Sequence, residues 1–164
     1  LDPTLWLTKE QWGKLEEPIR IPEKYILVYQ LHQNNEMDKY IGELQEEYGM
    51  PCLRVDLYYH YVVKKGKHVI CPTPGQFISL IKNANYIVSD SFHMTVFSII
   101  FNKKFISIYS QNSFNDRIAN ILKWLNLENR HLEHDIDYTA VNKLLDEKNK
   151  EMRNLLNEKI QFLG

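Results

Sequence analysis

Hydrophobic residues in this chain occur in short apolar runs, and segments with a helical period lie between these runs. The runs YILVYQL at 25–31 and YIV at 86–88 predict buried strands. Shorter apolar runs predict further strands at 53–57, 69–70 and 105–109. Strands that alternate with helices predict an α/β fold, a Rossmann-like and mostly parallel sheet with helices on both faces.

Capping residues mark where the helices between these strands begin. Asn34 or Asn35 precedes a segment whose apolar positions follow the helical period until Gly49. Thr73 and Pro74 are a typical cap and first-turn residue for a second helix. Helices are also predicted near 8–15 and over 92–101, 118–125 and 139–161. The segment YYHYVVKKG at 58–66 fits both a strand extension and a loop with aromatic side chains over a site.

The stretch with the clearest chemical character runs from 85 to 105. A buried strand leads into Ser89-Asp90-Ser91, which are helix-capping residues, and a helix that is apolar on nearly every side follows. This arrangement aims free backbone N–H groups and the positive end of the helix dipole at an anion. His93 lies in the first turn of that helix, so we expect the chemical site there. Asp90 fits either a cap or an acceptor that orients His93.

Composition limits the classes of partner. The 164 residues form one domain of ordinary size, and a formal net charge of −1 gives no reason to expect nucleic acid. No apolar run approaches the length of a bilayer span, and no signal peptide opens the chain. Because the chain begins at Leu1, we expect it to be part of a longer protein. We expect Cys52 and Cys71 to be buried free thiols, which is consistent with a reducing cytoplasm.

Several segments together resemble the polysaccharide pyruvyl transferase family. The main one is SDSFH at 89–93, followed by TVFSIIF at 95–101 and KKF at 103–105. Matching pieces elsewhere are DPTL at 2–5 with Trp12, PTP at 72–74 leading into FISLI at 77–81, Ser113, Arg117, and 127–130. The resemblance covers nearly the whole chain but only the C-terminal part of the family. Met94 stands where the family usually has a small residue, and we expect it to narrow the anion pocket.

The resemblance implies a domain arrangement. Residues 25–137 would form the donor-side, Rossmann-like half of a two-domain enzyme similar to GT-B glycosyltransferases. Residues 1–24 would be a connector from a missing N-terminal domain, and 138–164 a C-terminal helix that packs back on the domain or on a neighbour. The substrate cleft would lie between the two halves, so the isolated chain is expected to be inactive.

The resemblance also implies a reaction, the transfer of pyruvate from phosphoenolpyruvate to a sugar as a cyclic ketal during synthesis of bacterial exopolysaccharide. His93 would be the catalytic acid, and the side chains expected to bind substrate are Ser91, Thr95, Ser113 and Arg117. Phosphoenolpyruvate is the donor substrate; no other cofactor and no metal are expected. The acceptor would be a sugar or a lipid-linked saccharide, and the location the cytoplasm or the inner face of the membrane.

Other interpretations of these residues stay open at this point. Ser91 fits a simple helix cap, and Arg117 and Ser113 fit surface positions. His131 and His134 lack a third ligand for zinc. The sequence contains no GxGxxG or Walker pattern, which argues against a dinucleotide or P-loop site. The alternative functions are a GT-B-type glycosyltransferase that uses a nucleotide sugar, and a non-catalytic domain of the same fold.

Overall fold

A single parallel sheet forms the centre of the computed structural model, which describes residues 2–57, 66–108, 115–128 and 138–163. Its five strands are β1 (Ile26–Tyr29), β2 (Cys52–Asp56), β3 (Lys67–Ile70), β4 (Tyr86–Ser89) and β5 (Lys104–Ser107), in the order β3-β2-β1-β4-β5. Every neighbouring pair is parallel. The predicted α/β, Rossmann-like fold is therefore confirmed.

Helices connect and flank these strands. After a short 3-10 helix at Pro3–Trp6 come α1 (Lys9–Gly13), α2 (Asn35–Tyr48), α3 (Pro74–Asn83), α4 (Phe92–Ile100), α5 (Asn115–Trp124) and α6 (Tyr138–Leu163). The predicted caps fix the starts of two of them. Asn34 Oδ1 accepts the Met37 N–H at the start of α2, and Thr73 forms a reciprocal capping box with Gln76 on α3. Side-chain capping explains why these starts were predictable from sequence.

The two faces of the sheet carry separate hydrophobic cores. Ile26 and Val28 of β1 point to the face that α2 covers, where they meet Met37 and Ile41. Leu27 points to the other face, against residues of α3, α4, α5 and α6. Alternate residues of a buried parallel strand face opposite sides, so both sides must be apolar. Helices therefore lie on both faces, as the sequence predicted.

Residues 1–24, predicted as a connector, pack against this domain. Leu5 is buried in the larger core, and the Trp12 indole N–H donates to the Thr4 carbonyl at 3.1 Å. Further along, the Glu17 carboxylate accepts a hydrogen bond from the Thr73 hydroxyl, and the N–H of Glu17 donates to the Gly75 carbonyl at 3.3 Å. Whether this segment arrives from another domain stays a prediction.

The first turns of α6 lie across the same side of the domain. Val141 and Leu145 are buried in the larger core, and the Asn149 amide donates to the Leu5 carbonyl at 2.9 Å. The 3-10 helix is thus held between α4 and α6. Farther along α6, Leu155 is 47% exposed. Within the described ranges, no helix is long and apolar enough to cross a bilayer.

Two sequence expectations are corrected by the fold. Cys52 is buried as expected, but Cys71 is exposed, because it follows the edge strand β3 in a turn with a positive φ of 48°. Met94 is completely buried in the core under α4. It therefore does not narrow an anion pocket. The segment at 58–65, which fits both a strand extension and a loop, lies outside the described residues.

The packing of residues 1–24 on α3 can be tested at Gly75. A Cβ atom at this position would lie 2.4 Å from the Leu15 carbonyl oxygen and 2.5 Å from the Glu17 side chain. We expect Gly75→Ala to lower the free energy of unfolding by about 1–3 kcal/mol, the usual range for overpacking.

Gly42, in the middle of α2, is the matched control, because a Cβ there would meet nothing within 4 Å. Gly42→Ala is expected to raise the free energy of unfolding by roughly 0.5–1 kcal/mol through helix propensity. Urea unfolding of both variants provides the measurement. Equal effects of the two substitutions would contradict the packing of residues 1–24 on α3.

Candidate active site

The turns that follow β1 and β4 meet at one edge of the sheet. The two strands are neighbours, with Tyr29 in register with Ser89, so their carboxyl ends coincide. In the strand order seen here the chain runs outward from β1 in one direction and from β4 in the other. Open α/β sheets bind ligands in the crevice at such a switch point.

The β4–α4 turn is held by its own serines. Ser91 is the N-cap of α4, and its hydroxyl accepts the Met94 N–H at 3.4 Å. The Ser89 hydroxyl accepts the Ser91 N–H at 3.0 Å and donates to the Tyr29 carbonyl at 2.6 Å. These bonds fix the first turn of α4 relative to the end of β1.

His93 projects outward from that first turn. Its side chain is 57% exposed, and its Nε2 lies 3.6 Å from Oδ2 of Asp2. The ring also makes an edge contact with Phe92, with centroids 5.4 Å apart. The imidazole is therefore accessible to a ligand rather than turned into the hydrophobic interior.

Arg117, on α5, reaches the same carboxylate from the other side. Its Nη2 donates to Asp2 Oδ2 at 3.1 Å, and its guanidinium carbon lies 4.0 Å from the centroid of the Phe92 ring. The ring face attracts the cation and holds it over α4. His93 and Arg117, which are far apart in sequence, thus converge on one oxygen atom.

Asp2 is the residue that sequence reasoning missed. Its other oxygen, Oδ1, caps the 3-10 helix by accepting the Thr4 N–H at 3.0 Å, which fixes the carboxylate in place. Burial alone would raise the pKa of Asp2, but the Thr4 hydrogen bonds and the charges of His93 and Arg117 outweigh it. The pKa of Asp2 therefore lies below its usual value. The sequence DPT at 2–4 is a recognisable capping pattern. It does not show that Asp2 would contact His93 and Arg117.

An open cleft of about 920 Å³ lies beside this cluster. Phe92 and Trp124 give it aromatic surface, and Arg117 and Lys123 give it positive charge, with Asp2 at its margin. A cleft of this size with cations over apolar walls suits a small organic anion.

Two other residues predicted to bind substrate, Ser91 and Thr95, are buried. Thr95 is 1% exposed, and its hydroxyl donates to the Ser91 carbonyl at 2.9 Å and contacts the Ser107 hydroxyl at 2.6 Å. Ser91 is also buried beneath the start of α4. Ser113 lies outside the described residues. The structure therefore brings together His93 and Arg117, while Ser91 and Thr95 support the helix start from below.

Asp90 does not orient His93. Its carboxylate accepts hydrogen bonds from the N–H groups of Leu31 and His32, at 2.7 Å and 2.9 Å, in the turn after β1. Of the two sequence alternatives for Asp90, the acceptor that orients His93 is wrong, because the β1–β4 pairing offers nearer donors, and the cap of α4 is Ser91. The described residues contain no group of three or more side chains suited to a metal ion. His131 and His134 lie outside them.

The charge of Asp2 gives a pH-dependent prediction. Because the pKa of Asp2 is lowered by folding, its ionised form contributes stability above its ordinary pKa of about 3.8, and this contribution is lost as the pH falls through the lower value. Asp2→Asn keeps a capping oxygen and removes the charge. We expect the variant to be less stable than the wild type at pH 7 and equally stable near pH 2, by thermal melting. A pH-independent difference would show that the charge of Asp2 does not contribute to stability.

The match to a known protein family covers part of this site. The family model described as polysaccharide pyruvyl transferase matches residues 1–112, a segment that contains Asp2 and His93 and ends before Arg117. A comparison with curated proteins found no match. Among solved structures, the UDP-GlcNAc 2-epimerase from Methanocaldococcus jannaschii is similar, with 14% identity and a TM-score of 0.49. The similarity covers 84% of this chain and 41% of the epimerase. By the family match, this chain belongs to the polysaccharide pyruvyl transferase family.

Proposed function

We propose that this chain is the donor-side domain of an enzyme that transfers pyruvate from phosphoenolpyruvate to a sugar as a cyclic ketal. The observation that carries the proposal is the convergence of His93 and Arg117 on one carboxylate oxygen of Asp2, at 3.6 Å and 3.1 Å. Two side chains that gather around an oxyanion in this way are suited to a phosphate or carboxylate of the donor.

Both side chains retain accessible surface for a ligand. His93 is 57% and Arg117 is 56% exposed, whereas Asp2 between them is only 14% exposed. A guanidinium has five N–H donors in a planar fork, so its bond to Asp2 leaves donors for a second anion. Phosphoenolpyruvate carries a phosphate and a carboxylate, and the cleft over Phe92 offers apolar surface for its methylene group.

The reaction requires a balanced exchange of protons. Two sugar hydroxyls lose their protons as their oxygens bond to C2 of phosphoenolpyruvate; one proton is gained at C3, which becomes a methyl group. The C2–O bond to phosphate breaks, and the second proton leaves with the phosphate. His93 is suited to deliver the proton to C3, since a positioned imidazole typically contributes about 10²–10⁴-fold to such a transfer. Arg117 is suited to stabilise the phosphate as it departs.

The acceptor sugar requires a second surface. Ligands of an open parallel sheet bind beyond its carboxyl edge, and a preceding domain of the longer protein would cover that edge from the other side. We assign to that domain the binding of the sugar or lipid-linked saccharide, and to the whole enzyme a location in the cytoplasm or at the inner face of the membrane. The 164-residue chain alone should then bind the donor without turning it over.

Ligand binding separates this proposal from its alternatives. Phosphoenolpyruvate is expected to raise the melting temperature of the protein, whereas UDP-sugars and CMP-sialic acid are not. Stabilisation by a nucleotide sugar alone would favour a glycosyltransferase, and stabilisation by no ligand would favour a non-catalytic domain. Pyruvyl transfer by residues 1–164 alone would contradict the assignment of the acceptor to another domain.

Variants of the two converging residues test the chemistry in the complete enzyme. His93→Gln is expected to lower kcat by about 10²–10⁴-fold, the range for loss of an acid–base group. Arg117→Lys should weaken donor binding roughly 10- to 100-fold, because the point charge of lysine cannot replace a bidentate contact. Lys39→Gln is the control, since Lys39 is 81% exposed on α2 and pairs only with Glu43 among the described salt bridges. Unchanged kcat in His93→Gln would overturn the catalytic role.

A further inference from the structure

A second histidine at the same edge is held in a fixed orientation by a buried carboxylate. The Asp90 side chain is 1% exposed, and its Oδ2 lies 3.0 Å from Nδ1 of His32. Its Oδ1 accepts the Leu31 N–H at 2.7 Å, and Oδ2 also accepts the N–H of His32 itself at 2.9 Å. Asp90 therefore forms hydrogen bonds with both the main chain and the ring of His32.

This contact decides which ring nitrogen of His32 is open. Asp90 acts as an acceptor toward both N–H groups, so Nδ1 of His32 carries the hydrogen that points at Oδ2. In the neutral imidazole, Nε2 then holds the free lone pair. The His32 side chain is 40% exposed, which gives a ligand access to the ring. A buried carboxylate that fixes the tautomer of a partly exposed imidazole is the arrangement found in general bases.

His32 lies at the switch point of the sheet, as His93 does. It follows β1 by three residues, His93 follows β4 by four, and the two strands end in register at Tyr29 and Ser89. The two histidines therefore lie just after neighbouring strand ends at the same edge of the sheet. Such a pair can serve the two proton transfers that one reaction needs.

The charged groups beside His32 are already engaged. A small hollow next to it is lined by Arg54 and Asp56, among others. Arg54 Nη2 donates to Asp38 Oδ1 at 3.2 Å, and Asp56 Oδ2 lies 2.5 Å from Nδ1 of His68. Arg54 and Asp56, each with its partner, thus lie beside the His32 turn. Asp90 contacts the His32 ring directly.

We propose that His32 is the base that accepts the proton of the attacking sugar hydroxyl, and that Asp90 is its positioning residue. The inference rests on the proposed function. As the hydroxyl oxygen bonds to C2 of phosphoenolpyruvate, its proton passes to Nε2 of His32 while His93 gives a proton to C3. The second hydroxyl loses its proton with the departing phosphate, and exchange with water returns the two imidazoles to their starting states.

The test uses His32→Gln in the complete enzyme, because this change keeps the main-chain N–H that Asp90 binds and removes the titrating ring. We expect kcat to fall by roughly 10²–10³-fold, with the KM for phosphoenolpyruvate within about two-fold of the wild type. The wild-type rate should fall at acidic pH, as the base becomes protonated, and this acidic limb should be absent from the variant. Asp90→Asn should lower kcat roughly 10- to 100-fold through loss of ring orientation.

Glu36→Gln is the matched control, because it removes a titrating group from an exposed position in the first turn of α2, beside the same loop. It should leave kcat and the pH profile unchanged. This inference alone would be overturned if His32→Gln kept the wild-type kcat and the acidic limb while His93→Gln was inactive. Asp90 would then have only a structural role. Failure of the wild type to bind phosphoenolpyruvate would instead remove the proposed function and this inference with it.

Discussion

The parallel pairing of β1 with β4 is the constraint on which the rest of the molecule depends. It joins segments about 60 residues apart, and it is secured at both ends by side chains. At the amino end, Asn85 exchanges hydrogen bonds with the main chain of Tyr25, with Asn85 Oδ1 accepting the Tyr25 N–H at 3.1 Å. At the carboxyl end, the Ser89 hydroxyl donates to the Tyr29 carbonyl. Because neighbouring parallel strands cannot be joined by a tight turn, the chain from β1 to β4 must return to the starting edge of the sheet through crossover connections.

This pairing places two turns with different chemistry side by side. The turn after β4 leads into α4 and presents His93 toward the Asp2 and Arg117 cluster. The turn after β1 presents His32, held by Asp90 from the neighbouring turn. Asp90 lies in the turn after β4 and holds the turn after β1. A single buried carboxylate therefore couples the geometry of the two turns.

The cluster around Asp2 depends on packing at a distance from the edge. Leu5 is buried in the main core, and α6 holds its carbonyl through Asn149, so the 3-10 helix has little freedom to shift. The carboxylate that caps this helix is therefore fixed against α4 and α5. Phe92 holds the Arg117 guanidinium from below by its ring face. Hydrophobic burial of Leu5 therefore positions the Asp2 carboxylate at the site.

The sequence alone determined the local elements and the class of fold, because these follow from nearest-neighbour patterns. Capping residues such as Thr73 and apolar runs such as 86–88 act within a few residues of themselves, so the strands and the start of α3 could be predicted. The signature around His93 likewise pointed to the family that the comparisons confirm. The tertiary structure alone decided which side chains meet. Asp2 lies 115 positions from Arg117, and Asp90 lies 58 from His32, and no local pattern encodes contacts that arise only when separate turns reach one edge of a sheet.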